Sequence, residues 1–214
     1  MTEYNKINDD VLLIDDFLSP QELKKVKDEL TFHKDDIVVD PFIDHKYSVY
    51  LRMFIDKVYE GRRTDSDILS IVGSKMFSEE TYKITRELDS YSFQSFPHTS
   101  SNETQVTSYM NGGHYKWHQD LGHARTISYV LPINMHEKKW TDGELKLNYR
   151  PHSGAKVEDI ITIVPKENQL IMFSSHVLHK VEHVKLKSED VFDGRLSING
   201  HVGHEKNDNL AYGS

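Results

Sequence analysis

His118-Gln119-Asp120 places an imidazole and a carboxylate two residues apart. On a strand, residues i and i+2 point to one face, so both groups can reach the same ion. The tripeptide alone says little, because 13 histidines in 214 residues yield about one His-x-Asp by chance. A second copy, His33-Lys34-Asp35, falls at an expected helix end and reads as the chance one. His118 has the richer setting. It follows Gly112-Gly113, where the backbone can turn sharply, and precedes strand-like sequence.

Histidine recurs in His176-Val177-Leu178-His179-Lys180-Val181-Glu182-His183. Read as a helix, 179–183 matches the H-x-x-E-H of inverted zinc proteases. That pattern needs helical geometry and a further ligand, and only Glu189 and Glu205 remain downstream as glutamates. The segment is rich in β-branched residues and closely follows the apolar run Leu170-Ile171-Met172-Phe173, so a strand is the better expectation. From a strand, one of these histidines completes a site begun by His118 and Asp120. In Arg195-Leu196-Ser197-Ile198, a strand puts Arg195 and Ser197 on one face. A guanidinium beside a hydroxyl suits a carboxylate. Two His and one carboxylate on an iron ion leave three coordination positions free, the arrangement of non-haem Fe(II) oxygenases. A chelating 2-oxo acid takes two of them and dioxygen the third.

Composition narrows the field further. Without cysteine there is no disulfide, thiolate zinc site, iron–sulfur cluster or cysteine nucleophile. A net charge of -8 argues against nucleic acid as a partner. No apolar run approaches membrane-spanning length, and MTEYNKINDD lacks the apolar core of a secretory signal. A cytoplasmic protein with no membrane association is expected.

The elements that must position these residues follow from pattern. Val11-Leu12-Leu13-Ile14 reads as a buried strand. Ser19, Pro20 and Glu22 form a helix start, followed by Leu23, Val26 and Leu30 at helical spacing. Residues 50–59 and 78–91 also show helical spacing, whereas 34–48, 60–75 and 94–103 read as loops. Strands are predicted at 105–110, 125–134, 144–150, 160–164, 169–174 and 194–202. Helices first and strands after argue against a βαβ architecture.

With these motifs the chain resembles the Fe(II)/2-oxoglutarate-dependent dioxygenases, most closely their prolyl 4-hydroxylase-like branch. VLLIDDFLSPQELKKVKDEL resembles the branch's opening strand and helix, and Tyr109 to Asp120 its Y-x-x-G…H-x-D segment. Arg125 to Leu145, Pro165 to Val184 and Arg195 to Gly200 resemble its later strands. The resemblance implies a mainly β fold with N-terminal helices: a double-stranded β-helix (jelly-roll, cupin-like) core buttressed by α-helices. It implies one dioxygenase domain over 1–214, with supporting elements in 1–100 and the catalytic core in 101–207. It selects His179 as the second histidine ligand, with His118 and Asp120, for Fe(II). Arg195 would anchor the 5-carboxylate of 2-oxoglutarate, helped by Ser197, and Tyr109 would contact this co-substrate. Dioxygen is the other co-substrate, and ascorbate a candidate reductant.

The implied reaction hydroxylates prolyl residues in a peptide or protein, releasing succinate and CO2. The alternatives are the same chemistry on a free amino acid or other small molecule, or a non-catalytic cupin-like metal-binding module. The sequence departs from the branch at several points. KLKSEDVFDG lengthens the interval before Arg195, and Lys185 and Lys187 are rival anchors. His201 stands where tryptophan is common, and Pro132 where some relatives carry tyrosine.

Overall fold

A computed structural model describes residues 3–39, 48–55, 65–122, 124–148 and 159–204. In chain order the first half comprises β1 (Tyr4–Asn8), β2 (Val11–Ile14), α1 (Pro20–Phe32), β3 (Val38–Val39), β4 (Ser48–Val49), β5 (Leu51–Phe54), α2 (Asp67–Met76), α3 (Glu79–Thr85) and α4 (Tyr91–Ser95). The second half holds β6 (Ser101–Tyr109), β7 (His114–His118), β8 (Arg125–Pro132), β9 (Thr141–Asp142), β10 (Leu145–Asn148), β11 (Ile160–Ile163), β12 (Leu170–Ser174), β13 (Leu178–Val181), β14 (Val184–Lys185) and β15 (Arg195–Gly203). An eight-stranded sheet runs β1-β2-β12-β8-β15-β6-β5-β3, and a five-stranded sheet runs β11-β10-β13-β7-β4. Among the described residues no helix is long and apolar enough to cross a membrane.

The larger sheet is sandwiched. On one face Leu12, Ile14, Ile127, Leu131, Met172 and Ile198 meet Val26, Leu30, Val72 and Phe93 of the helices. On the other, Val11, Leu13, Ile171 and Phe173 meet Leu145, Leu147 and Val181 of the smaller sheet. This is the expected jelly-roll with helices on one side. β2 and β12 are buried on both faces, which is why their sequences are continuously apolar rather than alternating. In β8 and β15 the alternation is preserved. Apolar residues face the helices, while Ser128, Arg195, Ser197 and His201 face the space between the sheets.

The start of α1 forms as predicted. The Ser19 hydroxyl accepts from Glu22 N–H, and the Glu22 carboxylate accepts from Ser19 N–H at 2.8 Å. Four expectations are corrected. Residues 51–54 are a strand, not a helix, pairing with β6 from Leu51↔Ser108 to Phe54↔Gln105. Met53 and Ile55 enter the helix-side core while Tyr50, Arg52 and Phe54 line the inter-sheet cavity. Apolar residues on both faces of a strand obscure its period of two and imitate helical spacing. Residues 56–59 of that predicted helix lie outside the described residues. The loop expected at 60–75 contains α2, capped by the Ser66 hydroxyl accepting from Leu69 N–H at 3.0 Å. Ile68, Leu69, Val72 and Met76 form its buried stripe. Interspersed Ser, Asp and Gly masked the periodicity. Glu29 of α1 accepts from Ile68 N–H and from the Ser66 hydroxyl, both at 2.7 Å, which ties the two helices together. The helix expected over 78–91 is shorter, α3 ending at Thr85, and α4 with a single 3-10 turn occupies part of the loop expected at 94–103.

Candidate active site

The site begins with a register. His118 of β7 lies directly opposite His179 of β13, and Tyr115 opposite Val181. Two steps on β13 thus match three on β7, so β7 carries a bulge. The extra residue turns both Tyr115 and His118 into the cavity, where their rings stack with centroids 3.7 Å apart. The His118 and His179 rings are 4.1 Å apart. Nδ1 of His118 meets the Lys116 carbonyl at 2.8 Å, and Nδ1 of His179 meets the Val177 carbonyl at 3.0 Å. A carbonyl can only accept, so each Nδ1 carries the proton and each Nε2 presents its lone pair.

Asp120 lies two residues beyond the end of β7 rather than on the strand, held by its N–H donating to the Ser175 carbonyl at 3.0 Å. Its Oδ1 is 3.7 Å from His118 Nε2 and its Oδ2 is 3.4 Å from His179 Nε2. The Ser128 hydroxyl donates to Oδ2 at 2.6 Å. The ligand atoms of His118, Asp120 and His179 all lie within 4.8 Å of one another, a grouping able to hold a metal ion. Burial, reinforced by the neighbouring His179, pushes the His118 pKa down to about 4. Burial alone would raise the Asp120 pKa, but His179, His201 and the Ser128 hydroxyl outweigh it and hold the carboxyl below its ordinary value. At neutral pH the site therefore offers a neutral imidazole at His118 beside a carboxylate, the forms a divalent cation requires.

Deeper in the same cavity, of 390 Å³, lies Arg195, only 2% exposed. It sits opposite Tyr109 on β6, its guanidinium 5.2 Å from the tyrosine ring centre. Nε donates to the Gly143 carbonyl at 2.7 Å. Gly143 has φ +69°, and a Cβ there would fall 3.0 Å from Arg195 Cδ and 2.8 Å from Val184 Cγ2, so glycine permits the approach. Nη2 of Arg195 is buried and has no hydrogen-bond partner among the described residues. Glu144 acts on the guanidinium electrostatically, but among the described residues no carboxylate forms an ion pair with it, and an incoming carboxylate in the cavity it lines would lower the cost of burying it. Ser197 is on the same face, its hydroxyl 3.0 Å from that of Thr107. Burial pushes the Tyr109 phenol up, so it remains protonated.

Lys185 is exposed and paired with Asp142 at 2.8 Å, Lys187 is exposed, and neither lines the cavity. The intervening KLKSEDVFDG segment folds back on buried Asp193, which accepts from Ser188 at 2.5 Å, His136 at 2.8 Å and Lys139 at 2.9 Å. His183 stacks on His114 at 4.1 Å, and the exposed His176 lies 3.8 Å from Asp10. Residues 178–181 are extended, so the H-x-x-E-H match lacks the helix it requires. His33 caps α1 and pairs with Asp36, not Asp35, at 2.6 Å. Sequence reasoning missed the contribution of His201, whose Nδ1 lies 3.2 Å from the Ser128 hydroxyl oxygen. The signal for it was strand parity with Arg195 and Ser197.

Two histidine nitrogens and one carboxylate suit a ferrous ion, and the unpartnered guanidinium suits the far carboxylate of a 2-oxo diacid, so the residues fit both groups. The comparisons agree. Residues 104–203 match the model of the 2OG-Fe(II) oxygenase superfamily. An uncharacterized PKHD-type hydroxylase of Synechocystis sp. is 24% identical over 203 residues, covering 91% of this chain and 63% of that protein. The chain thus spans less than two thirds of the curated relative it matches. A prolyl hydroxylase of Trichoplax adhaerens, solved with a hypoxia inducible factor peptide fragment, superimposes with TM-score 0.63 at 17% identity, over 96% of this chain and 88% of that one. A prolyl-4-hydroxylase of Pseudomonas putida does so with TM-score 0.58 at 15% identity, over 92% and 93%. The family model is thus matched across β6 to β15, the stretch that carries the His-Asp-His group, and the fold around that group is similar to that of the prolyl hydroxylases.

Proposed function

We propose that this chain is a single-domain prolyl hydroxylase acting on a peptide or protein. In this reading His118, Asp120 and His179 hold Fe(II), and Arg195, with Ser197 and Tyr109, holds 2-oxoglutarate. The observation that carries it is the buried Arg195, whose Nη2 has no hydrogen-bond partner among the described residues, in the cavity that also holds the His-Asp-His group. A non-catalytic metal-binding module has no need of such a cation.

Bound there with 2-oxoglutarate and dioxygen, Fe(II) would supply the oxidising power to convert C–H to C–OH, with succinate and CO2 released. The protein's own residues do the rest. Arg195 neutralises and orients the far carboxylate through paired N–H donors. The carbonyls of Lys116 and Val177 fix the imidazole tautomers so that both Nε2 lone pairs face Asp120. Phe173, edge-on to His179 at 4.8 Å, and Leu145 form a dry wall that keeps water from the reacting centre.

On the cavity wall, the Tyr50 ring centre lies 5.3 Å from that of Tyr109 and 5.7 Å from that of Tyr115. Flat aromatic faces suit a pyrrolidine ring. Burial and the nearby Asp120 push the Tyr115 phenol up, partly offset by Arg52 and Arg125, so it stays protonated and able to donate a hydrogen bond. The peptide bound to the Trichoplax fold relative supports a peptide substrate over a free amino acid.

The test is succinate release by protein supplied with Fe(II), 2-oxoglutarate and ascorbate across a panel of proline-containing peptides. Mass spectrometry follows the gain of one oxygen atom on proline. Peptide-stimulated turnover with oxygen on proline is expected. Turnover with free amino acids alone would select the small-molecule reading, and a metal-loaded protein without any turnover would reject catalysis.

A further inference from the structure

On β8 and β15, Ser128 and His201 are direct cross-strand partners. Both face the inter-sheet cavity. Neither belongs to the His-Asp-His group, yet both meet Asp120. Ser128 Oγ is 2.6 Å from Asp120 Oδ2, and His201 Nδ1 is 3.2 Å from Ser128 Oγ and 3.6 Å from Asp120 Oδ2. Ser175 adds its hydroxyl at 3.1 Å from that of Ser128.

Proton counting fixes the direction. The Asp120 carboxylate brings no proton, so the single Ser128 hydrogen goes to Oδ2. Ser128 Oγ is then an acceptor toward His201, and Nδ1 of His201 must be the donor. The result is a directed chain, His201 Nδ1–H to Ser128 O–H to Asp120 Oδ2. It crosses from the larger sheet, which contributes no residue to the metal-binding group, to the loop after β7, which contributes Asp120. Oδ2 is thereby engaged, while Oδ1 has no hydrogen-bond donor among the described residues and is free to face an ion.

We propose that His201 is a positioning residue for the metal site, fixing the Asp120 carboxylate through Ser128 so that Oδ1 is the coordinating oxygen. The inference rests on the reading of His118, Asp120 and His179 as ligands. It ascribes to an imidazole at position 201 a role in metal affinity independent of any contact with substrate.

The test is titration of the metal-free protein with Mn(II), with free Mn(II) followed by electron paramagnetic resonance. His201→Leu is expected to weaken Mn(II) binding about tenfold or more, the usual cost of losing an outer partner of a ligand. His201→Asn, whose amide nitrogen lies where Nδ1 was, should recover most of the loss. His201→Gln, whose amide lies where Nε2 was, should not. In a Ser128→Ala background His201→Leu should add little, because the chain is already cut. Thermal unfolding of each metal-free variant checks that it is folded, and the Asn/Gln contrast compares two polar variants in one fold. Wild-type affinity in His201→Leu, equal losses in the Asn and Gln variants, or full additivity with Ser128→Ala would overturn the proposal. His118→Ala separates the two readings. If it abolishes Mn(II) binding while His201→Leu is silent, only this inference fails. If it binds like wild type, the ligand reading fails and takes the inference with it.

Discussion

His118 and His179 face each other across β7 and β13 with ring centres 4.1 Å apart, although 61 positions separate them in the chain. Their closeness rests on one register and one bulge. Slipping β13 by one residue would replace His179 with Lys180 or Leu178 and dismantle the site.

The ligand assignment predicts a sharp contrast between neighbouring histidines. His179→Ala should abolish both Mn(II) binding and succinate release. His183→Ala, which loses only a stack on His114 outside the cavity, should change neither by more than about twofold. Metal titration and turnover of the two variants check it.

Arg195 yields two effects of opposite sign. Arg195→Met removes a buried charge that forms no ion pair among the described residues, Glu144 acting on it only at longer range. Its unfolding temperature should therefore stay level or rise, because replacing a buried ion with an apolar isostere is commonly neutral to stabilising. The apparent KM for 2-oxoglutarate should rise by about 30-fold or more, matching the roughly 2–5 kcal/mol typical of losing one partner of a buried charge pair. Calorimetry and kinetics on the same preparation test both.

Gly143→Ala should act on co-substrate binding from outside the cavity. The new methyl sits 3.0 Å from Arg195 Cδ and 2.8 Å from Val184 Cγ2, at a φ of +69° that disfavours alanine. A stability loss of about 1–3 kcal/mol is expected, together with a raised KM for 2-oxoglutarate. Denaturant unfolding and steady-state kinetics measure the two.

Burial sets a pH window for the metal-free protein. His118 and His201 are each pushed down to about 4, below the ordinary value of 6.5. Between these limits the unfolded chain binds more protons than the folded one, so stability falls as pH falls. The contribution is complete above about pH 6.5 and lost as pH approaches about 4. Unfolding temperatures across pH 4–7 should show this slope, and His201→Asn should flatten part of it.

Much of the candidate site was legible because strand parity is a strict rule. Arg195, Ser197 and His201 must share a face, and so must Ser128 and Val130, whichever way the sheet turns. The capping box at Ser19 and the doubly buried β2 and β12 were readable for the same kind of local reason. Residues 51–54 were not, because a strand bordered by a helix layer on one face and a cavity on the other loses its alternation. α2 was hidden by its composition, although Ile68, Leu69, Val72 and Met76 carried its period.

The sequence by itself determined the chemical types. Histidine nitrogens and a carboxylate without thiols, an arginine on strand parity with a serine, and a glycine turn before His118 were all written locally. Only the tertiary structure decided which histidine faces His118, because strand register depends on pairing between distant segments. The β7 bulge that turns Tyr115 inward, the burial of Arg195 Nη2 without a partner among the described residues, and the His201–Ser128–Asp120 chain arise the same way. Each depends on what the other sheet brings opposite a residue, and local patterning carries no record of that.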